Sequence, residues 1–179
     1  MFQIREEEGI PTFVIAESDQ EQFWRLTGEN IKPDSGQFLK LDLLNSGSGK
    51  YSLTEDNILY DFFCDGILVS PKLKKELEEF LSNVGYWIEF QYEGNKYHYF
   101  HTTKVMDAID YKASGCRYIE GFLASINPIV FNELDYTGSP LFRVPREDGK
   151  PIWLFTSDLF FSKLNELGFE GVKARKPQI

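Results

Sequence analysis

Two histidines, His98 and His101, stand in the phrase HYFH, and they are the only imidazoles in the chain. Imidazole is the side chain best suited to proton transfer near neutral pH. Asp107 and Asp110 follow closely, so a histidine–carboxylate pair for hydrolysis is the one catalytic constellation these residue types allow. The surrounding pattern argues against it. HYFH reads as a strand, and residues three apart on a strand point to opposite faces. A shared metal is therefore disfavoured, and a three-ligand zinc site would need a carboxylate from elsewhere. Both histidines are expected at half-exposed strand positions. An Asp before a turn bonds its own backbone, and Ser114 can do the same, so Asp107 and Asp110 read as turn residues. Cys64 and Cys116 stand in no cluster of basic residues and at no helix N-terminus that would lower a thiol pKa. A reduced, buried pair is expected of a cytoplasmic chain, with a disulfide between them left open. Ser46-Gly47-Ser48-Gly49-Lys50 lacks the leading glycine spacing and the following helix of a phosphate loop, and no GxGxxG, GxSxG or HExxH occurs. The expectation is no catalytic residue, no cofactor and no metal. A hydrolase using His98 or His101 with Asp107 or Asp110 is the alternative, and a non-enzymatic adaptor is a third reading.

The elements around these residues predict an α+β fold, largely antiparallel and aromatic-rich, with two or three short amphipathic helices. Sixteen Phe and nine Tyr favour strands. Residues 10–16 read as a strand, and Ser18-Asp19-Gln20-Glu21 matches a capping box before a helix that carries Phe23 and Trp24. Leu39, Leu41 and Leu43 alternate with Lys40 and Asp42, which predicts a half-buried strand. Residues 84–92 and 96–105 form a hairpin turning at Gly94-Asn95. Residues 117–123 and 128–131 read as further strands, and 141–144 and 152–155 as a second hairpin.

Two stretches say nearly the same thing. ILVSPKLKKELEEF and IWLFTSDLFFSKLNELGFEG each give an apolar run, a hydroxyl residue, then leucines at helical spacing. Ser70 with Pro71 caps the first helix, and Thr156 or Ser157 caps the second. Two similar strand–helix–strand units in a single domain, 1–179, are the expectation; two repeats are too few for a solenoid.

The chain carries 28 acidic and 19 basic residues, a formal charge of −9. The imbalance lies in residues 1–90, with 17 acidic against 8 basic; residues 91–179 hold 11 of each. Such a field repels nucleic acid and anionic membrane and attracts basic partners. No run approaches the length of a membrane span, and MFQIREEEGI has neither a basic nor an apolar leader region, so a cytoplasmic location is expected. Glu6, Glu7 and Glu8 form a run, Glu17, Asp19 and Glu21 follow, and Asp56, Asp61 and Asp65 make a second group. A solvated face is the plainer reading of these residues, and a lure for a basic protein is the functional one. In the second case Trp24 and Tyr51 are candidate aromatic anchors inside the acidic rim.

Three phrases in order, DFFCDGILVSPKLKKELEEF, YHYFHTTKVMDAIDYKAS and LFRVPREDGKPIWLFTSDLFFSKLNELGFEGVKA, carry a resemblance. Together they resemble family eleven of the immunity proteins of bacterial polymorphic toxin systems, over residues 61–174. The matching positions are Val69-Ser70, Ala108-Ile109-Asp110 with Ser114, Leu141-Phe142-Arg143, and Gly168 to Val172. Thr102-Thr103 departs from the family's Asn, and Gly-Phe-Glu-Gly departs from its Leu-Thr-Gly. The acidic residues 1–60 lie outside the resemblance. It implies a cytoplasmic antidote that binds a cognate toxin domain encoded by the adjacent gene, with no catalytic residues of its own.

Overall fold

The computed structural model describes residues 2–6, 9–47, 59–62, 66–132, 139–145, 151–169 and 172–175, with backbone alone at 2–6, 61–62, 122, 151–153 and 172–175. In chain order the first elements are β1 (Phe2–Glu6), β2 (Thr12–Ile15), a 3-10 turn (Glu17–Asp19) running into α1 (Gln20–Gly28), β3 (Phe38–Asn45) and β4 (Leu59–Phe62). Next come β5 (Ile67–Val69), α2 (Pro71–Leu81), β6 (Gly85–Tyr92) and β7 (Asn95–Thr102). The rest are β8 (Cys116–Ile119), β9 (Phe122–Ile126), β10 (Leu141–Pro145), β11 (Pro151–Thr156), α3 (Asp158–Glu166) and β12 (Val172–Arg175). The chain is α+β, and antiparallel pairing dominates.

Six strands close a barrel in the order β2-β3-β6-β7-β5-β4. Two of its seams, β2–β4 and β3–β6, are parallel. A four-stranded antiparallel sheet, β10-β11-β1-β12, stands beside it, and β8–β9 is a separate hairpin. Both expected strand–helix–strand units are present, as β5-α2-β6 and β11-α3-β12.

The alternation of β7 sorts the cores. Tyr97 and Tyr99 point into the barrel with Phe13, Leu39, Tyr60, Ile88 and Phe90. The rings meet edge to face, as their quadrupoles favour: Phe13 lies 5.6 Å from Tyr60, and Phe23 of α1 lies 5.4 Å from Tyr99. Phe23 and Leu26 of α1 join this core, and Tyr86 Oη donates to Leu26 O at 2.7 Å. Phe100, one step out of phase, faces outward into a second cluster. There Leu73, Leu77 and Leu81 of α2 meet Phe160 and Leu164 of α3, with Leu141 and Leu154 from the open sheet. The opposite face of that sheet, with Phe142, Val144 and Phe155, is covered by Ala108 and Ile109.

Several expectations need correction. The capping box at Ser18–Glu21 does not form: the N-cap of α1 is Asp19, without a side-chain cap bond. Its carboxylate instead accepts Lys40 N of β3 at 2.6 Å, which spends the acceptor on the sheet and not on the helix. The 117–123 strand is folded in two. Glu120 and Gly121 both take positive φ and turn β8 into β9, while 128–131 forms no strand beyond one bridge, Phe131 to Ile109. The β6–β7 turn likewise sits on Glu93-Gly94, both with positive φ, one residue earlier than expected.

Candidate functional site

His98 and His101 do lie on opposite faces of β7, but neither is half-exposed: they are 7% and 2% accessible. The inward face of β7 is covered by barrel closure and its outward face by α2, whose Leu73, Leu77 and Leu81 cluster with Phe100. His101 belongs to the inward set. Its Nε2 lies 3.1 Å from Asn30 Oδ1, and Tyr86 and Tyr99 flank the ring. An amide oxygen only accepts, so Nε2 carries the proton, and the buried Nδ1 has no partner among the described residues. Burial, reinforced by the charge of Arg143, pulls the His101 pKa down to about 4. The ring is neutral at physiological pH.

His98 faces the other way, into a cleft of about 370 Å³. The floor is a cross-strand quartet. Glu89 of β6 stands opposite His98, and Trp87 opposite Phe100. Trp87 meets Phe100 edge-on at 4.9 Å and His98 at 6.5 Å. One wall is α2, through Lys74, Glu78 and Ser82; the other is the loop 32–37 that leads from α1 to β3. Lys74 Nζ is pinned to Glu78 Oε1 at 2.5 Å, an i,i+4 pair. Burial lowers the His98 pKa, with Glu89 opposing that shift.

Asp107 and Asp110 do not join the histidines. Neither lines the cleft, and neither is among the charges acting on His98 or His101. Asp107 is exposed. Asp110 Oδ1 accepts from Lys112 N and Ala113 N, each at 3.0 Å, which is the turn role expected from the sequence. Ser114 also bonds backbone, but across the fold: its Oγ accepts Val130 N at 2.9 Å. Cys116 is a free, half-buried thiol whose Sγ lies 3.4 Å from Tyr111 O; Cys64 lies outside the described residues. Among the described residues, no three of His, Cys, Asp and Glu cluster as a metal site would require, and no helix is long and apolar enough to cross a membrane.

Two of the acidic candidates lie on strands, one in each sheet. Glu6 ends β1 in the open sheet, and Asp61 sits in β4, paired with Thr12 on the barrel. Glu7, Glu8, Tyr51, Asp56 and Asp65 lie outside the described residues. Glu17, Asp19, Glu21 and Trp24 share one ridge formed by the 3-10 turn and α1, with Trp24 57% exposed. The bond from Lys40 N to Asp19, together with Ala16 N to Lys40 O at 3.0 Å, fastens that ridge to β3. Strand β3 turns Phe38 (52% exposed), Lys40, Asp42 and Leu44 (62%) to solvent. The register continues the face across the barrel: Phe38 pairs Glu89, which pairs His98. The ridge and the cleft therefore belong to one outward surface.

No protein-family model matches the chain, and the search of curated proteins finds no match to it.

Proposed function

We propose that the protein is an immunity protein, a cytoplasmic antidote that binds and neutralises a cognate toxin domain, as its resemblance to that family implies. The observation that carries the reading is the joined surface of α1 and β3. Trp24, Phe38 and Leu44 are large apolar side chains left open to solvent, and Glu17, Asp19, Glu21 and Asp42 stand among them. Exposed aromatic anchors within a charged rim are the arrangement that concentrates binding energy at protein interfaces. The rim steers a basic partner, and the apolar side chains hold it once docked. Glu6, Glu7, Glu8, Asp56, Asp61 and Asp65 extend the acidic contribution in this reading, and Tyr51 is a further aromatic anchor.

The test uses the C-terminal domain of the large protein encoded next to this chain. Co-expression should rescue cells from that domain, and the purified pair should bind in a stoichiometric complex. The double change Glu17→Lys with Glu21→Lys should slow association by about tenfold at low salt, and the deficit should shrink at high salt. Trp24→Ala should weaken the complex by roughly 30-fold or more, as a central anchor does. Absence of both rescue and binding would overturn the antidote reading. Unchanged rates in the charge-reversed variant would move the interface elsewhere.

A further inference from the structure

We infer that the cleft between α2, the 32–37 loop and the outer face of β6–β7 receives an arginine side chain of a basic protein partner. Four observations converge on that chemistry. The first is a carboxylate without a use inside the protein: half-buried Glu89 makes no ion pair or hydrogen bond through its side chain among the described residues. The second is its setting. Glu89 lies between Phe38, 52% exposed, and His98 and is itself half-buried, so a salt bridge to it is less screened than one in open solvent. The third is the indole of Trp87, two residues along the same outward face, which offers a surface for a planar cation.

The fourth is the charge balance of the lining, two lysines against three carboxylates. Lys74 is held by Glu78 at 2.5 Å, and Lys32 stands on the same loop as Asp34. The floor imidazole adds no charge, since burial holds His98 below its ordinary pKa. The lining therefore carries one carboxylate in excess beside an aromatic surface, with Lys96 of β7 acting on the floor from outside it. Guanidinium suits that pair better than ammonium, because it bonds a carboxylate through two parallel N–H groups and stacks on a ring. A volume of about 370 Å³ admits one such side chain with its flanking backbone. Because Phe38 pairs with Glu89 of the cleft floor and is part of the exposed β3 face, an arginine seated here would belong to a partner lying across that face. The inference takes only the source of the arginine from the proposed antidote role; the site itself rests on the cleft.

The test needs no toxin. The full chain is titrated with N-acetyl-arginine-methylamide, with its citrulline and lysine counterparts, with free arginine and with inorganic phosphate. The Trp87 indole N–H and His98 ring signals are followed by NMR. The arginine probe should shift both signals saturably in the millimolar range. The lysine probe should bind at least fivefold more weakly, and citrulline and phosphate should not saturate. Glu89→Gln should weaken the arginine probe by roughly tenfold while the thermal transition stays in place. Equal response to arginine and lysine, unchanged by Glu89→Gln, would mean diffuse attraction to an acidic protein and would overturn the site. Saturation by phosphate would overturn its chemistry. Free arginine binding a hundredfold more tightly than the blocked form would assign the cleft to a small amino-acid ligand and overturn the partner assignment. An unresponsive cleft in a chain that still binds its toxin would remove this inference alone.

Discussion

The barrel and the open sheet contain the same four-stranded plan, built with different middle strands. In the barrel the order β4-β5-β7-β6 holds a hairpin, a crossing helix α2 and a strand inserted between β5 and β6. In the open sheet β10-β11-β1-β12 repeats that order with α3 as the crossing helix and β1 as the inserted strand. Every neighbouring pair within both sets is antiparallel. The inserted strand β7 follows β6 at once through Glu93-Gly94, whereas β1 arrives from the other end of the chain. The first unit is then closed by β2 and β3, which bridge β4 and β6. Residues 2–6 and 12–45 are thus built into both sheets. They supply the missing strand of one unit and the closing seam of the other.

The largest expected effect follows from that difference. Removing residues 1–8 leaves β11 and β12 without the strand both pair with. Amide protection in β11 should fall by on the order of a thousandfold, while β6 and β7 should lose less than tenfold. Equal losses in both units would mean that the shared α2–α3 core welds them into one cooperative block, and the comparison would fail.

The units also differ in their response to acid, because both histidines lie on β7 and the open sheet has none. An unfolded chain protonates His101 near its ordinary pKa of 6.5, whereas the folded chain resists until about pH 4. Between those values the unfolded state binds more protons, so stability is full above about pH 6.5 and declines as the pH falls toward 4. The decline should reach on the order of 3 kcal/mol from His101, with His98 adding in the same direction. Urea midpoints measured from pH 7.5 to 4.5 should show it, and His101→Gln should flatten the profile. Protection corrected for intrinsic exchange should fail in the barrel before the sheet. A slope unchanged in His101→Gln would place the acid sensitivity elsewhere.

What the sequence disclosed and what it hid divide along the same line. Leu73, Leu77, Phe160 and Leu164 announce both helices, because a 3.6-residue period is visible within a dozen residues. The insertion of β1 is not visible, since Phe2–Glu6 has partners more than 140 residues away, Phe2 pairing Thr156 and Glu6 pairing Val172. The parallel seams that close the barrel are equally non-local. The place of Trp87 and Glu89 depends on one turn. A hairpin turning at Gly94-Asn95 sets Gln91 opposite His98; turning at Glu93-Gly94 sets Glu89 there and creates the cleft floor. The signal was the Glu-Gly pair itself, which recurs at Glu120-Gly121 with the same positive φ values. Polar positions on an outward face have no period that separates a solvated residue from a site, so only the register reveals the Phe38–Glu89–His98 row.

The smallest effect tests the helices themselves. Both start at a serine, yet only one uses it. Ser70 Oγ accepts Leu73 N at 3.2 Å, and Pro71 follows at the first helical position, where no donor is needed. Ser157 occupies the equivalent place before α3, but its buried hydroxyl has no partner among the described residues, and Thr156 Oγ1 bonds Pro140 O and Ser157 O instead. A hydroxyl that caps satisfies a helix donor, whereas a buried hydroxyl without a partner costs its own desolvation. Ser70→Ala should therefore lower stability by about 1 kcal/mol, and Ser157→Ala should change it by less than about 0.5 kcal/mol or raise it slightly. Denaturant midpoints at constant slope would measure both. Equal losses would make the two helix starts physically alike, and the difference between the units would then rest on their inserted strands alone.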